Sequence, residues 1–271
     1  MLVRTEVVRL DLGKVNEFAA LCGDRTAVES AEQMLPLGWH QLFTHTSDPW
    51  LKQGIDGHPQ HRSPDVPVHL TRRMWAATEV RVVQPIRLAD SITCEREQPV
   101  VVIKHGSSGE LAFSREVMRW RRGTELLMEE AKTVVYKAAQ AVGQGQPAPT
   151  RQQTMPVPET QQVVMLDEIT LFKYSALLGV AHRIHFDQPY ATQVEGYPGL
   201  VIHGPLLIQL LLNLARVSQP GAFSGAYTAR AMRPNYLGAA LKLNLAKSND
   251  HVLLWVSDIE GQATLIVTLR T

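Results

Sequence analysis

The sequence predicts an α+β fold assembled from two halves of like order. Three observations carry that prediction. Each half contains a strand closed by a proline, followed by a turn and then further strand-like segments. The second half also contains a helix with almost no polar face, which must be enclosed, most simply by a sheet curled around it. Between the halves lies a segment with little to bury.

The N-terminal half is taken as residues 1–137. Lys14–Cys22 reads as a short amphipathic helix with Val15, Phe18, Ala19 and Cys22 on one side. Glu29–Leu42 is a second helix candidate, broken at Pro36. Glu79–Gln84 is a strand closed by Pro85, with Asp90 beyond it. Ile92–Glu97, Val100–His105, Leu111–Arg119 and Leu126–Tyr136 follow as alternating or β-branched runs, with a turn at Arg121–Gly123 before the last. Residues 138–162 hold Pro147, Pro149, Pro156 and Pro158 among glutamines and alanines, and are expected to link the halves. In the C-terminal half, residues 163–271, Pro205 suits the first turn of a helix that carries Leu206, Leu207, Ile208, Leu210, Leu211, Leu212 and Leu214, with Gly221 helping to end the region. Tyr227–Arg233, closed by Pro234, then leads to Leu241–Ala246, Val252–Asp258 and Thr264–Leu269, with a turn at Asp258–Gly261.

Composition narrows the function. The chain has 271 residues, 45% of them apolar, which is enough for one large core or two sharing one. A net charge of +1 offers no basic excess for a run of phosphates, so nucleic-acid binding is not expected. Cys22 and Cys94 make neither a disulfide framework nor a thiolate metal site. The first residues carry frequent charges, and the apolar stretch Leu206–Leu214 is far short of the ~20 residues a membrane crossing needs, so a cytoplasmic protein without a membrane partner is expected.

Polar residues gather in Phe172–Ala191. His182 and His185 bracket Arg183, and Asp187 follows. The pair of histidines lacks the HExxH spacing and its nearest carboxylate is Asp187, so no metal is expected. On spacing alone, His185 reads equally as a structural histidine, Arg183 as surface cover, and Gly196, Gly199 and Gly204 as turn residues.

The run YSALLGVAHRIHFDQPYA, Tyr174–Ala191, with EGYPGLVIHG, Glu195–Gly204, resembles the hydratase motif of MaoC-like enoyl-thioester hydratases and dehydratases. Within that family it is most similar to the branch of mesaconyl-C4-CoA hydratase and the type 2 hydroxyacyl-thioester dehydratases. DGHP at Asp56–Pro59 and VPVHLTRRMWA at Val66–Ala76 resemble the same branch. The resemblance implies a double hotdog, two curved antiparallel sheets each wrapped around a helix, with an N-terminal repeat that shapes substrate binding and a C-terminal repeat that carries the motif. It also implies a hydro-lyase acting on acyl-CoA or acyl-carrier-protein thioesters without metal or redox cofactor. A double hotdog already contains a paired core, and many such proteins associate further, so monomer and homodimer both stay open.

Hydrating a 2-enoyl thioester needs a base for the water at C3, a proton for C2, and a donor to the thioester oxygen as enolate charge develops. The resemblance places His185 as the base and the backbone N–H of Gly204, at a helix start, as the donor. Val180 stands where the family motif has a carboxylate and His182 where it has asparagine. His182, Asp56 or His58 must then supply the missing function, and Asp187 matches a family position that orients the segment. Arg72, Arg73 and Arg183, with Trp75 and Tyr174, are the expected substrate contacts, and an arginine fork suits a distal carboxylate. The expected substrate is a short branched diacid monothioester, mesaconyl-C4-CoA or itaconyl-CoA. Linear fatty acyl dehydration, thioester hydrolysis and acyl-CoA binding without turnover are the alternatives.

Overall fold

The C-terminal strands of the computed structural model bury one set of apolar side chains at alternate positions. The structure describes residues 2–24, 30–44, 52–58, 63–106, 109–139, 153–219 and 225–270. In β9 (Leu241–Lys247), β10 (His251–Ser257) and β11 (Ala263–Arg270), the inward set Leu241, Leu243, Leu245, Val252, Leu254, Val256, Leu265, Val267 and Leu269 is buried. The second face of β9 and β10 is filled as well, by Asn244, Ala246, Trp255 and Ser257, so the register is fixed by what each face packs against. The three strands pair antiparallel, Leu254 opposite both Leu245 and Val267.

The N-terminal strands are β1 (Leu2–Val8), β2 (Arg72–Val82), β3 (Ile92–Glu97), β4 (Val100–Gly106), β5 (Gly109–Arg122) and β6 (Glu125–Lys137). β7 (Thr160–Val164) and β8 (Ala226–Ala231) belong with β9–β11. The two expected sheets join into one antiparallel sheet of eleven strands, in the order β1-β3-β5-β6-β2-β8-β11-β10-β9-β7 with β4 also on β5. The junction is β2 against β8, Ala77 opposite Arg230 and Arg81 opposite Ala226. β1 was not anticipated. β7 starts at Thr160, inside the segment expected to link the halves, and pairs with β9 from Thr160↔Leu245 to Val164↔Leu241. Residues 140–152 of that segment, and Glu29, Pro59, Pro220 and Gly221, lie outside the described residues.

α3 (Gly204–Ser218) packs on β9, β10 and β11, with Leu206, Leu207, Leu211 and Ala215 fully buried. Each such leucine stabilises by roughly 1.5–3 kcal/mol. A polar stripe runs along α3 at helical spacing. Gln209 Nε2 donates to Gly38 O at 3.2 Å, Asn213 Nδ2 to Cys22 O at 3.2 Å, and Arg216 pairs with the buried Asp24. All three partners belong to the N-terminal half, so the helix is pinned to it by its polar face and to its own sheet by its apolar one. Gly38, at φ 86°, passes so close that a Cβ would stand 2.7 Å from Leu212.

α1 (Leu12–Leu21) is the expected amphipathic helix, capped by Asp11, whose carboxylate accepts from Lys14 N at 2.6 Å. Residues 30–43 contain no α-helix. A bridge between Met34 and Arg87 and a 3-10 turn at Trp39–Phe43 take that place, because Pro36 and the left-handed Gly38 interrupt it. α2 (Glu168–Leu178) is an additional helix that packs on α1. No helix among the described residues is long and apolar enough to cross a membrane. Cys22 and Cys94 are buried free thiols.

Candidate active site

α2 and α3 converge on the segment that joins them. Asp167 caps α2 by accepting from Thr170 N at 2.8 Å, and Gly179 ends it at φ 71°, the left-handed conformation that glycine adopts without strain. Val180–His182 then enters a single 3-10 turn, Arg183–His185. His203 lies at the N-cap of α3. The His185 and His203 rings stack at 3.6 Å, and the His182 ring stands edge-on to His185 at 5.4 Å. Ser175 Oγ of α2 is hydrogen-bonded to His203 Nε2 at 2.9 Å, while His203 Nδ1 is buried without a hydrogen-bond partner among the described residues.

His185 has a defined tautomer. Its Nδ1 lies 2.7 Å from Val201 O, and a carbonyl only accepts, so Nδ1 carries the proton and Nε2 the lone pair. Burial lowers the pKa of His185 to about 4, against the pull of that carbonyl, so the ring is neutral at pH 7. Burial, helped by His185 and Arg73, lowers His182 to about 2. Burial also drives His203 well below the ordinary histidine range.

A loop from the N-terminal half closes on this turn. Arg183 N donates to Asp56 O at 2.9 Å and Arg183 Nη1 to Ile55 O at 3.1 Å. Gly57, at φ 83°, lies flat on Ala181, and a Cβ there would come within 1.8 Å of Ala181 O. Only glycine permits that approach. Asp56 and His58 are thereby placed beside His182, with the His58 and His182 rings 4.2 Å apart. One ligating atom from each of Asp56, His58 and His182 lies within 4.8 Å of the others, a donor set that the spacing of His182 and His185 did not suggest. Burial raises the Asp56 pKa, opposed by Arg73, whose Nε is 3.9 Å from Asp56 Oδ2.

The two halves enclose a cavity of about 990 Å³ lined by His58, Arg73, Trp75, Val180, His182, His185 and Gly204 among others. Tyr174 also reaches it, fully buried, with its hydroxyl 3.5 Å from Gln41 Oε1. Gly204 opens α3 as expected, but the group that a side chain there would meet is Trp75, 2.7 Å from an added Cβ. Trp75 is held by its own indole N–H, which donates to Thr78 Oγ1 at 2.8 Å.

Two expected substrate contacts, Arg72 and Arg183, lie elsewhere, and Asp187 orients the segment as expected. Arg72 is buried in an ion pair with Glu195 at 2.9 Å and does not line the cavity, because its guanidinium is turned to that carboxylate and to Val194 O at 3.4 Å. Arg183 and Asp187 satisfy one another, with Nη2 2.7 Å from Asp187 Oδ2 and the guanidinium over the Tyr190 ring. Asp187 also accepts from Tyr190 N at 3.0 Å, which holds its carboxyl below the usual range. Neither lines the cavity. The pair braces the turn from outside.

His203 and Ser175 were not among the expected site residues. The signal for Ser175 was its place in the buried α2 stripe Leu171, Tyr174, Ser175, Leu178, where a hydroxyl needs a partner.

A model of the family described as hydroxyacyl-thioester dehydratase type 2 matches residues 38–236. Mesaconyl-C(4)-CoA hydratase of Chloroflexus aurantiacus is 33% identical over 270 residues, covering 98% of this chain and 95% of the relative. The mitochondrial hydroxyacyl-thioester dehydratase type 2 of Schizosaccharomyces pombe is 25% identical over 244 residues, 81% of this chain and 79% of its own. Among solved structures, HtdX of Mycobacterium tuberculosis superposes with a TM-score of 0.71 at 19% identity, covering 98% of this chain and 99% of its own. A MaoC-like dehydratase from Phytophthora capsici does so with a TM-score of 0.71 at 14% identity, covering 99% and 95%. The last two likenesses concern the fold.

Proposed function

The chain belongs to the hydroxyacyl-thioester dehydratase type 2 family, a MaoC-like double-hotdog family of hydro-lyases, and we propose that it reversibly hydrates a short branched 2-enoyl-CoA whose far end carries a carboxylate. Mesaconyl-C4-CoA and itaconyl-CoA have that chemistry. The observation that carries the reading is the tautomer of His185, which leaves Nε2 as a base on a ring stacked against His203, the N-cap of α3.

In this mechanism His185 Nε2 takes a proton from water as its oxygen bonds to C3. The electron pair of the double bond moves toward the thioester oxygen, which the Gly204 N–H stabilises at the positive end of α3. Protonation at C2 completes the addition, so one water supplies both the hydroxyl and the new C–H. Val180 cannot hold or move a proton. His182, backed by His58 and Asp56, takes the part of the family carboxylate by orienting the water. Residues 1–137 act as the substrate-shaping repeat, lending Asp56, His58, Arg73 and Trp75, while residues 163–271 carry His182, His185 and Gly204 across the linker at 138–162. In this reading Arg73, which lines the cavity, pairs with the distal carboxylate.

Dehydration of a linear hydroxyacyl thioester is the second reading, favoured by the likeness to the mitochondrial hydroxyacyl-thioester dehydratase of Schizosaccharomyces pombe. The test is His185→Ala with mesaconyl-CoA, itaconyl-CoA, crotonyl-CoA and a medium-chain enoyl-CoA. Loss of enoyl absorbance without free thiol is expected for wild type, and at least ~100-fold slower turnover for the variant. Release of free thiol would make the protein a thioesterase. A variant within about threefold of wild type would remove His185 as the base.

A further inference from the structure

Asp56, His58 and His182 meet from two segments far apart in sequence, and the meeting is enforced by backbone rather than by chance side-chain packing. Gly57 is pressed on Ala181, and Arg183 N is bonded to Asp56 O, so the residues on either side of Gly57 must flank His182. Two imidazoles and one carboxylate are the nitrogen and oxygen donors that zinc-class ions select. A tetrahedral ion with bonds of about 2.0–2.1 Å asks for donors roughly 3.3 Å apart. The present spread is within 4.8 Å, so occupancy requires the side chains to turn inward by about 1.5 Å. His58 and His182 also line the large cavity, which leaves room for water as a fourth ligand.

We infer that Asp56, His58 and His182 form a binding site for a zinc-class divalent ion, and that its occupancy arrests hydration. The arrest rests on the assignment of His182 to water orientation in the proposed function; the binding does not. A bound ion engages the ring nitrogen that His182 would otherwise offer to water. It also sets positive charge beside Arg73, 3.9 Å from Asp56, which makes Arg73 the competing cation.

The experiment uses full-length protein stripped with a chelator and titrated with Co²⁺, read by its visible d–d absorbance and then by displacement with Zn²⁺. One equivalent is expected, with low-coordinate bands. His58→Gln and His182→Asn should weaken binding by about 100-fold or more, with folding checked by circular dichroism. Arg73→Met should tighten it. His251→Ala, at the start of β10 and remote from the cluster, should leave it unchanged. Absence of stoichiometric binding, or equal binding by His58→Gln and wild type, overturns the site. In the hydration assay Zn²⁺ should inhibit wild type, and a chelator should restore it. Binding without inhibition upholds the site and overturns the part given to His182. Failure to hydrate in the ion-free protein would count against the proposed function while leaving the binding result intact.

Discussion

Arg72 and Arg73 are neighbours on β2 with opposite tasks, and substitution should separate them. Arg73→Met is expected to lower kcat/KM for the diacid thioesters selectively, by ~100-fold relative to crotonyl-CoA. Arg72→Met removes the partner of Glu195, whose side chain is 11% exposed, and is expected to cost about 3–5 kcal/mol of stability in urea unfolding. Its KM for all substrates should hold. Equal loss on every substrate for Arg73→Met would assign that residue to CoA or to folding. Gly57→Ala should abolish turnover while moving the thermal midpoint little, because the misplaced unit is a surface loop whose role is to position Asp56 and His58. The motif residues were legible in the sequence from family likeness. Their partners were legible only in part. The engagement of Arg72 by Glu195 is decided by a contact far away in sequence, and the Ser175–His203 bond depends on how α2 docks, its local trace being only the place of Ser175 in the buried stripe.

At the scale of elements, most strands were readable and Ile92–Glu97 falls on β3 end for end, whereas β2 begins at Arg72, seven residues before the expected Glu79. β1 and β7 were not. Both are edge segments, whose pairing with β3 and β9 is decided by chain far away in sequence. α2 carried signals that outweigh its polar appearance, Asp167 at the start and Gly179 at the end. α3 reads as wholly apolar until Gln209, Asn213 and Arg216 are set on one stripe. That stripe is the adhesive between the halves. Arg216→Met removes the ion pair to the Asp24 carboxylate, which is 4% exposed. An expected loss of about 1–3 kcal/mol, seen in the urea midpoint with KM unchanged, checks this. A shift below a few tenths of a kcal/mol would mean the stripe is decorative.

For the whole molecule, three buried imidazoles set a limit on acid. Unfolded, each titrates near 6.5; folded, His185 is held at about 4, His182 at about 2 and His203 well below its ordinary value. Below pH 6.5 the unfolded chain therefore binds protons that the native one refuses, and stability falls as pH falls. For three such groups the slope approaches about 4 kcal/mol per pH unit toward pH 5, a large share of the roughly 5–15 kcal/mol a domain holds. Urea midpoints at pH 7.5 and 5.0 should differ accordingly, and an acid loss of activity should track unfolding rather than titration of the base. A flat midpoint over that range would contradict the burial of the cluster. The β2–β8 junction has a different consequence, one of timing. Ala77 is made long before Arg230, its partner across the junction. At a synthesis rate of about 5–20 residues per second, the open flank of β2 waits roughly eight to thirty seconds on the ribosome for its neighbour. Exposed Glu79 and Arg81 put alternating charge along that flank, which guards a nascent chain against pairing with its twin on the next ribosome.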